Sequence, residues 1–347
     1  MTARTLIILG VLTVMALVVA LLVSNPSTRT DTGMESGYLL PELRARINDI
    51  ESIDIVAAGG ETSVTLRRER ERWRVRERFD YEADFAAVHD LLRDLAEARI
   101  VEQKTDNPEW YGRLGVADIA EDGAAGVRVD FPGAELPGII LGDPDSAGIG
   151  RYARLADRAR SVLIDRDPDV PTDPLEWLEK AIMDIPAADI EAVTLRHPDG
   201  ETVELRPGDQ EGSTWVVLGV PEGREARQAW YQRQTADALS SLNMENVRVH
   251  ETLPDDAVRA LFRTRDGLNF VATLFTDDDG HWVHFSVSAE LPATDDGALN
   301  DDQAELSADA AAVDERLSPW QFSIDESRHD RMTRRLEDFL VVESDEP

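Results

Sequence analysis

The sequence predicts an α+β fold: two tandem related units of mainly antiparallel sheet with packed helices, behind one N-terminal transmembrane helix. Three observations predict it. Blocks of sequence recur in the same order about 140 residues apart, apolar residues alternate at period two between short turns, and an uncharged apolar run stands near the amino terminus. Ile50-Glu51-Ser52-Ile53-Asp54-Ile55 returns as Ile190-Glu191-Ala192-Val193-Thr194-Leu195, and each copy runs on to Gly-Glu-Thr, at Gly60-Glu61-Thr62 and Gly200-Glu201-Thr202. Trp73 then matches Trp215. Leu92, Leu95 and Ile100 match Leu239, Leu242 and Val247, and Val162-Leu163-Ile164-Asp165 loosely matches 321–325. The offset grows from 140 to 142 to 147 to 160, as loop insertions in the second copy would make it grow.

In chain order, Leu6 to Val23 is 18 residues without a charge, roughly 27 Å as a helix and close to the thickness of a bilayer core. The run leads into Leu22-Val23-Ser24-Asn25-Pro26, with no small-x-small cleavage pattern, so an uncleaved anchor over 1–24 is expected, with a cleaved signal peptide as the competing reading. Arg4 on one side and Arg29, Asp31 and Glu35 on the other place the amino terminus in the cytoplasm and the bulk of the chain outside it. Residues 25–37 are small and polar and read as a linker.

The first unit, 38–187, opens with Ile53 and Ile55 alternating toward Val64 and Leu66 across the Ala58-Gly59-Gly60 turn, a hairpin, followed by a strand at 72–77. From Asp84 the period becomes helical through Phe85, Val88, Leu91, Leu92 and Leu95. Strands are expected at 100–101, 127–131, 139–141, 152–155 and 162–164, and a helix at 174–183 closes the unit. The second unit, 188–347, repeats the plan: strands at 192–195, 203–205 and 215–217, a helix at 226–242 and a strand at 247–249. Longer strands at 268–275 and 281–287 are joined by the Asp277-Asp278-Asp279-Gly280 turn. Residues 290–315 hold nine acidic residues and no basic one, and read as a solvated acidic insertion. A strand at 320–324 and a helix at 326–341 end the pattern. Without a regular βαβ alternation, α+β with antiparallel pairing is preferred over a doubly wound sheet.

The balance of 36 basic against 69 acidic residues gives a net charge of −33, and Lys104 and Lys180 are the only lysines. Such a surface repels nucleic acid and suits solution in concentrated salt. The absence of cysteine excludes disulfides and thiolate metal sites.

No motif carries catalysis. Gly148-Ile149-Gly150 lacks the third glycine and the following helix of a phosphate loop and reads as a hairpin tip. Asp143-Pro144-Asp145 lacks the later ligands of a calcium loop, and the carboxylates of Asp277-Asp278-Asp279 diverge in a tight turn. His281 and His284, three apart on a strand, face opposite sides of the sheet, and His250-Glu251 lacks the second histidine of a zinc helix. The six histidines, with His89, His197 and His329 the remaining three, read as scattered. Trp73, Trp215 and Trp282 fall at apolar strand positions and read as core. No catalytic, cofactor-binding or metal-binding residue is assigned, no cofactor is expected, and the chain reads as a non-enzyme.

The string Asn107-Pro108-Glu109-Trp110-Tyr111-Gly112-Arg113-Leu114-Gly115-Val116 resembles a signature of the bacterial family known as domain of unknown function 4340. Leu39-Leu40-Pro41-Glu42-Leu43, Ile140-Leu141-Gly142 leading to Arg151-Tyr152-Ala153-Arg154, and Pro174-Leu175-Glu176-Trp177-Leu178 before Asp184-Ile185-Pro186 fit the same family. The resemblance covers nearly the whole chain and is clearest over 39–196. It implies an amino-terminally anchored extracytoplasmic protein of the kind encoded beside ABC-type permeases and gliding-motility-like transport systems. The expectation is a non-enzymatic accessory or scaffold subunit of an ABC-type transport or envelope system. It would sit in the inner membrane with one span, its amino terminus cytoplasmic, its bulk periplasmic, and a permease or auxiliary subunit as partner. The alternative is a binding module for a polysaccharide or other envelope ligand, using a cleft between the units lined by tryptophans.

Overall fold

The computed structural model describes residues 37–148, 150–208, 214–290 and 300–341. The anchor expected over 1–24 and the linker lie outside the described residues. Among the described residues no helix is long and apolar enough to cross a membrane.

The chain enters with Gly37 to Leu39 paired to the segment 98–100 through Leu39 N–H to Ala98 O (2.7 Å) and Ile100 N–H to Gly37 O (2.9 Å). A short helix α1 (Pro41–Arg46) follows, with proline in its first turn where its missing N–H is not needed. Then come β1 (Ser52–Val56), β2 (Thr62–Glu69), β3 (Arg72–Val75) and β4 (Tyr81–Glu82). Helix α2 (Phe85–Glu97) is capped by the Asp84 carboxylate, which accepts from the amides of Ala86 and Ala87, and it buries Val88, Leu91, Leu92 and Leu95. After it lie β5 (Ile100–Gln103), β6 (Val127–Asp130), β7 (Ile139–Pro144), β8 (Arg151–Leu155), β9 (Ser161–Ile164) and β10 (Ala181–Met183).

The later residues form β11 (Ile190–Arg196), β12 (Thr202–Pro207), β13 (Trp215–Val217), helix α3 (Ala229–Ala236), β14 (Leu242–Asn243), β15 (Asn246–Val249) and β16 (Val258–Thr264). Next are β17 (Leu268–Asp277), β18 (Gly280–Ala289), helix α4 (Asp301–Leu317), β19 (Trp320–Ser323) and helix α5 (Glu326–Met332). The architecture is α+β with antiparallel sheets, as expected. One sheet has the order β4-β3-β2-β1-β6-β7-β8-β9-β5 and another β13-β12-β11-β16-β17-β18-β19-β15. Position for position the second order repeats the first without its β4, and Trp73 on β3 and Trp215 on β13 occupy corresponding strands. The correspondence extends to the strand ends: Ala83 bridges Leu178 just before α2, and Ala226 bridges Leu340 just before α3. The small sheet of β10 with β14 joins the two halves, and one continuous apolar core runs through both.

The structure corrects several element assignments. The helix expected over 174–183 is a single 3₁₀ turn, Pro174–Trp177, after which Leu178 bridges Ala83 and the chain continues as β10. The helix expected over 226–242 is shorter, α3 plus a 3₁₀ turn Asp237–Leu239, and 326–341 divides into α5 and a 3₁₀ turn Leu336–Phe339. In all three segments apolar residues recur at helical spacing, but pairing of the flanking backbone takes over part of the run. The acidic stretch 290–315 is not a solvated insertion throughout, since 301 onward forms α4. Asn300 and Gln303 make a reciprocal capping box, and Ala310 and Leu317 are buried where the helix packs along β18. β16 was not anticipated, although Val258, Ala260, Phe262 and Thr264 alternate in its sequence. The Asp277-to-Gly280 turn joins β17 to β18 as expected, with Gly280 at φ +126°, a conformation glycine alone adopts freely.

Candidate functional site

A concavity of about 1,020 Å³ lies where the two sheets meet. One wall is the β2–β3 turn and β4, the other the carboxyl end of α4 with Pro319 and Trp320, and Glu179 and Ala181 lie between. The 290–315 segment thus supplies part of the site that sequence reasoning passed over. Tyr81 is the keystone. Its ring meets Trp320 edge-on at 5.0 Å and Phe322 at 6.2 Å, so a first-unit aromatic is embedded in the second unit's last strand. Burial pushes the Tyr81 phenol up to about 12, with the Arg316 charge acting in the opposite sense. The Arg316 guanidinium donates to Ile182 O at 2.9 Å and ties the end of α4 to β10. On the facing wall Arg72 pairs with Glu82 at 3.4 Å, and Arg74 donates to Asp80 O at 3.3 Å.

Trp320 is the one tryptophan on the groove, and Trp110 and Trp230, the most exposed tryptophans, lie elsewhere. Trp73, Trp215 and Trp282 are buried, in keeping with their reading as core. The groove is therefore mixed: an aromatic pair, several arginines and several glutamates. That chemistry suits holding a chain with both apolar and charged side chains.

The histidines depart from the scattered pattern. His281 and His284 do diverge from one strand, but each finds a partner from a distant segment. His284 stacks on His250 from the end of β15 at 3.9 Å, and His281 lies against His329 of α5 at 4.7 Å. The first pair sits directly behind the groove. His284 Nε2 lies 3.0 Å from Ser318 O, the His250 amide donates to Pro319 O at 2.7 Å, and Gln321 links His250, Glu251 O and the Arg248 guanidinium. Arg248 is itself stacked on Trp282 at 3.9 Å and paired with Asp277 at 2.9 Å. The pKa of His284 is lowered by burial first and by the His250 charge next, that of His329 by burial and then by His281. Among the described residues no three histidine, aspartate or glutamate side chains come together in a metal-binding group. Asp145 of the dismissed calcium-like string accepts from the Tyr152 hydroxyl at 2.9 Å and from the Ala147 amide, which is a turn-stabilising role.

The signature string is built for packing. Asn107 caps the 3₁₀ helix Pro108–Arg113, and buried Tyr111 donates through its hydroxyl to Ala159 O. The Arg154 guanidinium lies over the Tyr111 ring at 4.7 Å and donates to Val116 O. At Gly115 (φ +67°) a Cβ would fall 2.9 Å from the Asp143 amide, so no larger residue fits. Trp110 is exposed, with Arg113 over its ring at 4.2 Å.

Fold and site together define a two-sheet α+β protein with a polar and aromatic groove between its halves. A family model described as a domain of unknown function, DUF4340, matches residues 73–261, more than half of the chain, and the chain belongs to that family. The match runs from Trp73 in β3 into β16, so it takes in the signature string and crosses from the first sheet to the second. No curated protein and no solved structure matches the chain.

Proposed function

We propose that this protein is a membrane-anchored, extracytoplasmic, non-enzymatic scaffold subunit of an ABC-type transport or envelope system, whose inter-unit groove seats a segment of a membrane-protein partner. The carrying observation is the groove itself, because its walls come from both sheets and an element with no counterpart in the first half, α4, completes it. The matching strand orders support reading 38–187 and 188–347 as copies of one duplicated unit, with the groove as what the pairing of copies added. The apolar run Leu6 to Val23 supports the anchor, and the family signature supports the setting. The test is affinity purification of the full chain from membranes in mild detergent, followed by mass spectrometry. A co-purifying permease or auxiliary membrane subunit, lost with Trp320→Ala, is the expected result. Recovery of soluble polysaccharide with no membrane protein would replace this reading with the ligand-binding alternative.

A further inference from the structure

In the second sheet Arg196 of β11 stands directly across from Arg259 of β16, and the register carries the row outward to Thr202 on β12 and Thr273 on β17. Cross-strand partners share a face, with Cβ atoms about 5 Å apart, so threonine, arginine, arginine and threonine line up on one side of the sheet. That side is turned from the core, which takes the neighbouring Leu195, Val203, Ala260 and Ala272. The row borders a concavity of about 440 Å³ that shares no lining residue with the inter-unit groove, and Leu253 and Pro254 form part of its wall. Among the described residues neither Arg196 nor Arg259 has a hydrogen bond or ion pair. The lining holds one acid, Asp255, which pairs with neither. Of the acids adjoining the row along β12 and its turn, Glu204 lies 4.0 Å from Arg206, and Asp199 and Glu201 are taken by Arg335.

Like charges directly opposed across a ladder are destabilising, and the first half of the molecule shows the same positions neutralised. There the corresponding pair is Val56 and Arg128, across β1 and β6. Arg128 donates through Nε to both carboxylate oxygens of Asp130, at 2.9 and 2.8 Å, and Val56 is buried with Tyr111 and Ile119 of the 104–126 segment. In the second half Leu261 stands where Asp130 does, and the short segment 250–257 replaces 104–126. At one place the second sheet has thus gained an arginine, lost its counter-charge and lost its cover.

We propose that Arg196 and Arg259 form an oxyanion site that takes a phosphate group, free or carried on an ester, between their guanidinium groups, with Thr202 and Thr273 beside it as further donors. The site is separate from the scaffold reading and does not depend on it. Two planar guanidinium forks rooted about 5 Å apart offer N–H donors in pairs to a tetrahedral anion, and a bound dianion removes the repulsion between them. The chain's acidic field opposes any anion, but at 0.1 M salt it is screened beyond about 10 Å, which leaves the local pair to decide.

The test is calorimetric titration of the full chain in detergent, at fixed ionic strength, with inorganic phosphate in one arm and glycerophosphoglycerol, a lipid headgroup without its acyl chains, in the other. Binding above that of chloride is expected in at least one arm. The arm that binds more tightly identifies the source as free phosphate or headgroup. Arg196→Gln and Arg259→Gln should each weaken it about tenfold, the scale of one lost charged hydrogen bond, while melting no lower than the wild type because like-charge opposition is relieved. Leu261→Asp, which copies the Arg128 and Asp130 pairing of the first half onto Arg259, should weaken it similarly. Arg206→Gln, on the same face but outside the concavity, should leave it unchanged. Absence of binding in both arms, binding kept by the Arg196→Gln, Arg259→Gln double variant, or an equal loss with Arg206→Gln would overturn the proposal.

Discussion

His329 packs against His281 with both ring nitrogens buried and without hydrogen-bond partners, and the Asp330 carboxylate 4.0 Å from Nδ1 is its nearest counter-charge. His284 faces His250 on one side and Ser318 O and the Asp314 charge on the other. In both, the folded-state pKa lies below the ordinary value of 6.5 because burial disfavours the imidazolium. The unfolded chain then takes up the protons first. Stability from these residues is fully present above pH 6.5 and is lost as pH falls through the lowered pKa values. Melting temperature is expected to fall between pH 7.5 and 5.5, a window in which the carboxylates, with reference values near 4, stay ionised. His329→Phe keeps the packed ring, removes two unpaired polar atoms, and should flatten that dependence while holding or raising stability at pH 7.5. An unchanged slope in this variant would remove the assignment. Sequence spacing correctly sends His281 and His284 to opposite faces. Their partners come from β15 and α5, and only long-range folding brings those segments alongside.

At the scale of elements, α4 shows where period reading runs out. Leu306, Ala310, Val313 and Leu317 recur at helical spacing, but two of the four are small or β-branched and six acids share the helix with them, so charge masks a narrow contact stripe. The helix matters to the sheet, because the Asp314 carboxylate accepts from the Val287 amide at 2.7 Å on β18. Leu317→Ala is expected to cost about 2–4 kcal/mol in urea unfolding, the range for deleting a fully buried leucine side chain. Removal of 290–315 should destabilise the protein by more and open the groove; a deletion variant melting like the wild type would show that α4 is dispensable. The long β17–β18 hairpin and α2 were legible because turn, cap and period agree there. The 3₁₀ turns at 174–177 and 336–339 were not, since what ends them is the bridge each following residue makes to a segment far back in the chain.

Over the whole molecule, one apolar core spans both sheets, and Tyr81 is among the side chains that join them. The described residues should unfold in a single transition, coincident by circular dichroism and tryptophan fluorescence. Tyr81→Ala, which removes the aromatic contact with Trp320 and Phe322, is expected to lower stability by about 3–5 kcal/mol and to separate the two signals. Retained coincidence at wild-type stability would mean the halves are joined elsewhere. The charge of −33 acts on a larger length scale. Screening shrinks from a Debye length of about 10 Å at 0.1 M to about 3 Å at 1 M, so the melting temperature should rise across that range of sodium chloride, and a flat response would remove self-repulsion as a determinant. The internal recurrence was legible at this scale from a handful of matched blocks, because both halves run through equivalent strands in the same succession along the chain. The groove was not, since its two walls lie more than two hundred residues apart in the chain.

The nine-stranded sheet ends at β4 on one side and β5 on the other, with the groove at the first edge and the incoming Gly37 to Leu39 segment hydrogen-bonded beside the second. Eight inter-strand steps of about 4.8 Å make an arc of at most roughly 38 Å. Helix α2, whose 13 residues rise about 20 Å, leads from the one edge to the other. The helix is therefore a strut across the ends of a curved sheet. In the proposed scaffold role this strut would set the distance between the groove and the sheet edge beside Gly37, and one added helical turn in α2 would lengthen it by about 5.4 Å.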